Sequence, residues 1–127
     1  MNNNRDGFSG FLDGYKAQNL ASVVDSASIQ IKQMQETAKN LQKKYLIDKL
    51  SYSFWDSILI MNFTSQSLMT VGEGIKTLII KDRAEPKGLH KDNEFKMLVL
   101  NYMSIVQLYG DNKIIDIALE VGDLLNC

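Results

Sequence analysis

The chain has 127 residues, of which 45% are hydrophobic and 23% charged, and 14 Lys and Arg against 15 Asp and Glu give a formal net charge of -1. This length fits one domain, and the composition is that of a folded globular protein, which excludes a disordered chain. The chain has no overall excess of positive charge of the kind that nucleic-acid-binding proteins use to neutralise phosphates. A single Pro and 8 Gly favour helices over an all-β fold, which needs many turns.

The only cysteine is Cys127, so no disulfide can form within the chain, and we expect neither a metal site nor a cofactor. The first residues lack the apolar run of a signal peptide. The longest apolar window, 54–63, contains Asp56 and is far shorter than the ~20 residues of a membrane span. We therefore expect a cytoplasmic protein without a membrane span, while secretion without a cleaved signal stays open.

Residues 1–13 are rich in Asn and are interrupted by Gly7 and Gly10. We predict a flexible N-terminal arm here, because chain ends of this kind are seldom tied down. The rest of the chain, 14–127, is predicted to form a single helical domain.

A regular heptad pattern follows the arm and predicts a long helix over about 15–46. Its apolar residues, which we call the seam, are spaced alternately by four and three: Leu20, Val24, Ala27, Ile31, Met34, Ala38, Leu41 and Tyr45. The seam is either one wall of the chain's own bundle, a contact with a second copy, or a contact with another protein. Because it is narrower than the apolar face of most core-facing helices, we favour self-association or a partner protein.

The next segment is richly apolar and aromatic and predicts a second helix over about 53–71. Ser51 or Ser53 is expected to cap it after a bend or break near residues 50–53. The alternative is one helix that runs through this segment. Gly72 and Gly74 are expected to end it. The Ile-rich stretch 75–82 suits a strand, but a lone strand has no partner to pair with, so we predict helix there too.

Residues 83–93 contain the only Pro among many charges and predict a loop. Two helices follow, over about 94–109 and 112–125. Asp92 or Asn93 should cap the first, and Gly110 should end it; Asp111 or Asn112 should cap the second. The first of these helices is apolar on nearly all sides, which is typical of a helix in the centre of a core or at an interface. The chain as a whole is predicted to be an all-α bundle of about four helices.

Side chains that could support catalysis are scarce. His90 is the only histidine, and in its charged loop we expect it to be solvated. The spacing from Arg83 to His90 resembles that of the arginine–histidine pair in HEPN-type ribonucleases. In that family the two residues of the pair lie on one helix. Pro86 and Gly88 interrupt such a helix here, so we predict no catalytic residues and no enzymatic activity.

Basic residues cluster on the long helix and around the loop: Lys39, Lys43, Lys44, Lys76, Lys81, Arg83 and Lys87. Acidic residues are interleaved with those of the loop and nearly cancel their field. The predicted function is therefore that of a non-enzymatic interaction protein, such as a small helical adaptor, inhibitor or secretion or assembly factor of bacterial or phage type, which self-associates. The alternative is a nucleic-acid-associated regulator that uses these basic residues.

Overall fold

A computed structural model describes the backbone of residues 6–45 and 49–126 and the side chains of residues 22–45 and 54–126. Within these ranges the chain forms five α-helices and one 3₁₀ turn, and no strand. Their bounds are Asp6–Lys44 (α1), Lys49–Leu59 (α2), Ser65–Ala84 (α3), Leu89–Lys91 (the 3₁₀ turn), Asn93–Tyr109 (α4) and Asn112–Asn126 (α5). The prediction of an all-α bundle is confirmed.

The first helix begins earlier than predicted. α1 starts at Asp6, so residues 6–13, which we assigned to a flexible arm, lie in a helix, while residues 1–5 lie outside the described part of the chain. Glycine lowers helix stability by only about 1 kcal/mol, so the glycines of this segment do not forbid a helix. With 39 residues, α1 is roughly 58 Å long at 1.5 Å per residue, about twice the length of α4.

The predicted second helix over 53–71 is wrong, because α2 ends at Leu59 and α3 begins at Ser65. Polar side chains of the intervening segment bond to the local backbone instead of letting a helix continue. Thr64 caps α3, since its Oγ1 accepts from the backbone N–H of Ser67 at 3.3 Å and its hydroxyl donates to Asn62 Oδ1 at 2.6 Å. The first two helices are separated by a break, as predicted, but it lies before Lys49, where α2 begins, and α2 runs through residues 50–53.

α3 continues through Gly72 and Gly74, which we had expected to end a helix. Both glycines serve close packing: a Cβ on Gly74 would lie 2.7 Å from Cδ1 of Phe54 in α2. Residues 75–82 are helical, as predicted. α3 ends at Ala84, two residues before Pro86, which disfavours the helical conformation in the residue before it.

The two C-terminal helices have the predicted bounds, to within one residue, and the predicted caps. Asp92 Oδ1 accepts from the backbone N–H of Glu94 at 2.8 Å, and Gly110 ends α4 with φ 77°. Asp111 Oδ1 accepts from the backbone N–H of Lys113 at 2.9 Å at the start of α5. These three caps depend on residues close in sequence, which is why the sequence predicts them correctly.

The core draws residues from all five helices, and its largest fully buried side chains are Trp55, Phe95 and Tyr102. α1 packs against α2 and α4, and α3 packs against α2 and α5. α4 also contacts α5 and α3, so it has neighbours on three sides. The central position of α4 agrees with its apolar sequence. The side of α4 that faces away from these three helices is exposed to solvent.

Candidate interaction surface

Most of the seam is buried in the chain's own core. Its buried members are 9% exposed or less: Ala27, Ile31, Met34, Ala38 and Leu41. Tyr45 is half-buried against the same core, and Val24 is 50% exposed. The side chain of Leu20 lies outside the described residues. The packing thus places five of the eight seam residues within the chain, where they have almost no surface left for a partner.

Three of the exposed apolar residues lie on α1 and α4. Met97 and Leu100 in α4 are 62% and 61% exposed, and Ile29 in α1 is 60% exposed. A shallow hollow of about 520 Å³ lies between Ile29 and Met97. Its polar walls are Lys32, Gln33, Glu36, Thr37 and Asn101. We call Ile29, Met97, Leu100 and these five polar residues the α1–α4 surface.

The two helices of this surface run antiparallel. At one end Glu94, in the first turn of α4, accepts from Lys44 Nζ at 2.9 Å and from Asn40 Nδ2 at 3.4 Å, both near the end of α1. At the other end Ile29 shares the hollow with Asn101. The arrangement therefore aligns the C-terminal part of α1 with α4.

The end of α1 is fixed to the start of α4 by Tyr45, whose hydroxyl donates to Asp92 Oδ2 at 2.8 Å. Lys44 Nζ lies 3.6 Å from the same oxygen. Burial opposes the ionisation of Asp92, but hydrogen bonds from Tyr45 and from the amides of Glu94 and Phe95 outweigh it and lower its pKa. A charged Asp92 thus holds the relative position of the two helices.

The loop between α3 and α4 is organised by a buried carboxylate. Asp82 is 5% exposed and accepts from the backbone N–H groups of Lys87 at 2.9 Å and His90 at 3.0 Å, while Nδ1 of His90 contacts the same carboxylate. Burial alone would raise the pKa of Asp82, but the bonds from His90 and Lys87 together lower it. The prediction of a solvated His90 is wrong, because only 11% of its side chain is exposed.

Arg83 and His90 have separate partners, which argues against a shared phosphate site. Arg83 lies in the last turn of α3 and its Nη2 donates to the carbonyl of Leu124 in α5 at 2.5 Å, whereas His90 lies in the 3₁₀ turn beside Asp82. The described residues also contain no group of three His, Cys, Asp or Glu side chains placed to hold a metal ion. In the same part of the chain, no helix combines the length and the apolar character that crossing a membrane requires.

Three of the basic residues of the nucleic-acid alternative are paired with acidic side chains. Lys39 pairs with Glu36 at 3.1 Å, and Lys44 with Asp92 and Glu94, all at the C-terminal part of α1 or the start of α4. Lys76, on α3, pairs with Glu120 of α5 at 2.6 Å. Of the others, Lys43 and Lys87 are exposed, Lys81 and Arg83 half-buried. Acidic neighbours reduce the field that such lysines present to a phosphate backbone.

No protein family, curated protein or solved structure matches this chain. Its functional class must therefore be argued from the helical fold and the α1–α4 surface. The sequence showed that α4 is apolar on nearly all sides, but it gave no reason to choose Ile29. Ile29 lies off the seam among polar residues, and only the packing of α1 on α4 brings it beside Met97.

Proposed function

We propose that this chain is a non-enzymatic protein–protein interaction protein that self-associates through its α1–α4 surface. The observation that carries this proposal is that Ile29 and Met97, each about three fifths exposed, line one hollow between two packed helices. Leu100, equally exposed, follows Met97 by three residues in α4. Exposed apolar side chains that lie near one another on a protein surface are typical of interaction sites. Roles as an adaptor, an inhibitor or an assembly factor all use such a surface.

The packing of α4 supports an interaction role for its outer side. Phe95, Leu98 and Tyr102 already fill the core from the inner side of this helix. Met97 and Leu100 therefore add nothing to the buried core of the single chain, although burying a side chain of this size is worth about 1.5–3 kcal/mol. Methionine also adapts its shape to a contact surface, as its unbranched chain has three rotatable bonds.

Light scattering and sedimentation equilibrium over a wide range of protein concentrations test this proposal. We expect a reversible dimer that Met97→Glu weakens by at least about tenfold in Kd, because the substitution buries a carboxylate without a partner. Ile60→Glu is the matched control, since Ile60 is 79% exposed and follows α2, outside the α1–α4 surface. Circular dichroism should show that both variants keep the helical fold.

Two results would contradict the proposal. The wild-type protein could remain monomeric at the highest concentration, which would exclude self-association. Alternatively, Ile60→Glu could weaken the dimer as much as Met97→Glu, which would place the contact elsewhere.

A further inference from the structure

The five methionines in the part of the chain with described side chains differ widely in exposure. Met34 and Met61 are 0% and 5% exposed and belong to the core, and Met103 is half-buried against it. Met69 in α3 is 37% exposed, and Met97 in α4 is 62% exposed. Among these five, Met97 is therefore the side chain most open to a dissolved reagent.

A chemical change at Met97 leaves the core untouched. Met97 lines the hollow of the α1–α4 surface, whereas Phe95 and Leu98 fill the core from the other side of α4. Peroxides oxidise the thioether of methionine to a sulfoxide, which is polar where the thioether is apolar. Oxidation of Met97 therefore alters the surface of the folded chain and not its packing.

We propose that Met97 is an oxidation site through which a peroxide weakens the self-association of this chain. The proposal rests on the proposed function and adds its regulation. The thioether sulfur attacks one oxygen of hydrogen peroxide: an S–O bond forms, the O–O bond breaks and water leaves. The sulfur loses two electrons and the peroxide gains them, so the step needs no further reactant.

Self-association weakens because the contact then buries a sulfoxide in place of a thioether. A polar group that leaves water without a hydrogen-bond partner costs free energy. Leu100, equally exposed and three residues further along α4, has no sulfur and undergoes no such reaction. Pairing and oxidation are also linked, because a second copy that covers Met97 slows its oxidation.

Stepwise treatment of the folded protein with hydrogen peroxide, followed by mass spectrometry of its peptides, tests the site. We expect sulfoxide at Met97 before Met69, and at both before Met34 and Met61. Oxidation of Met97 should slow as the protein concentration is raised through the Kd of the dimer, while that of Met69 should not. Once Met97 is oxidised, sedimentation equilibrium should show a dimer at least about tenfold weaker, and circular dichroism should show an unchanged helical fold.

Methionine sulfoxide reductases reverse the reaction, so treatment with them should restore the original Kd. Met97→Leu keeps an apolar side chain of similar volume without the sulfur, and its Kd should change by less than about twofold on peroxide treatment. Met69→Leu is the control and should stay as sensitive to peroxide as wild type.

Three results would overturn this regulation while the proposed function stands. Met69 could be oxidised ahead of Met97, the Kd could stay unchanged once Met97 is oxidised, or Met97→Leu could be as sensitive as wild type. If wild type stays monomeric at the highest concentration, both proposals are wrong.

Discussion

Gly72 in α3 lies against the hydroxyl of Tyr102 in α4: a Cβ on Gly72 would be 2.1 Å from that oxygen and 2.7 Å from Cγ2 of Ile117 in α5. The Tyr102 hydroxyl donates to the backbone carbonyl of Leu68 at 2.6 Å, in the preceding turn of α3. Three helices thus meet at a position where a side chain would have no room. The sequence suggested a helix end at this glycine, whereas the structure uses it for close packing.

We expect Gly72→Ala to lower the free energy of unfolding by about 1–3 kcal/mol, since a methyl group in a filled site displaces its neighbours. The loss outweighs the higher helix propensity of Ala, which is worth up to about 1 kcal/mol. Chemical denaturation followed by circular dichroism measures the change.

Gly122→Ala is the matched control in α5. A Cβ there would lie 3.4 Å from Cε of Met103, the flexible end of a side chain, so the substitution should be neutral or stabilise the fold by about 0.4–1 kcal/mol. Equal stabilities for the two variants would show that Gly72 is not tightly packed.

Tyr102→Phe should cost about 0.5–1.5 kcal/mol of stability, because it removes one buried hydrogen bond. Burial raises the pKa of Tyr102 well above its ordinary value, so this hydroxyl stays protonated and able to donate. In the double variant Gly72→Ala/Tyr102→Phe, loss of the oxygen relieves part of the clash. The double variant should therefore lose less stability than the sum of the losses in the two single variants. Strict additivity in a double-mutant cycle would contradict the contact.

The lowered pKa values of Asp82 and Asp92 predict acid sensitivity. A carboxyl whose pKa is lower in the folded state contributes stability that is complete above the unfolded pKa of about 3.9 and is lost as pH falls towards the folded value. The free energy of unfolding should therefore decrease as pH falls below about 4. Equilibrium denaturation at a series of pH values measures this decrease.

Asp82→Asn should lower stability at neutral pH by about 1.5–3 kcal/mol, as hydrogen bonds to a charged group are lost, and should also reduce the acid-dependent part of the curve. Asp116→Asn is the control, because Asp116 is exposed in α5. A pH profile of Asp82→Asn parallel to that of wild type would show that Asp82 is not the group responsible.

The seam should divide into two energetic classes. Met34 is fully buried, so Met34→Ala should destabilise the folded chain by about 2–5 kcal/mol. Val24 is 50% exposed, so Val24→Ala should change stability by no more than about 0.5 kcal/mol. Urea denaturation of the two variants shows whether the seam packs within the chain or forms a contact with another chain, as the sequence favoured. Weakened dimerisation with unchanged unfolding of the monomer in both variants would favour the partner surface.

The sequence by itself determined the helical class and the bounds of α4 and α5. Their caps, Asp92, Gly110 and Asp111, act on backbone groups only a few residues away, so their effect can be read locally. The break between α2 and α3 is local as well, through Thr64 and Asn62, but the strongly apolar residues around it obscured that signal.

Only the tertiary structure decided how the pieces are used. The heptad pattern was correct for a buried face, but nothing in its spacing tells the core of its own chain from that of another, because both use the same helix packing. Asp82 and His90 are predicted to lie in a helix and a loop, and they meet only because the chain reverses between them. Gly72 lies inside α3, where the absence of a side chain leaves room for Tyr102, 30 residues further along the chain. Ile29 and Met97 form one surface for the same reason: contacts between distant residues depend on the complete fold.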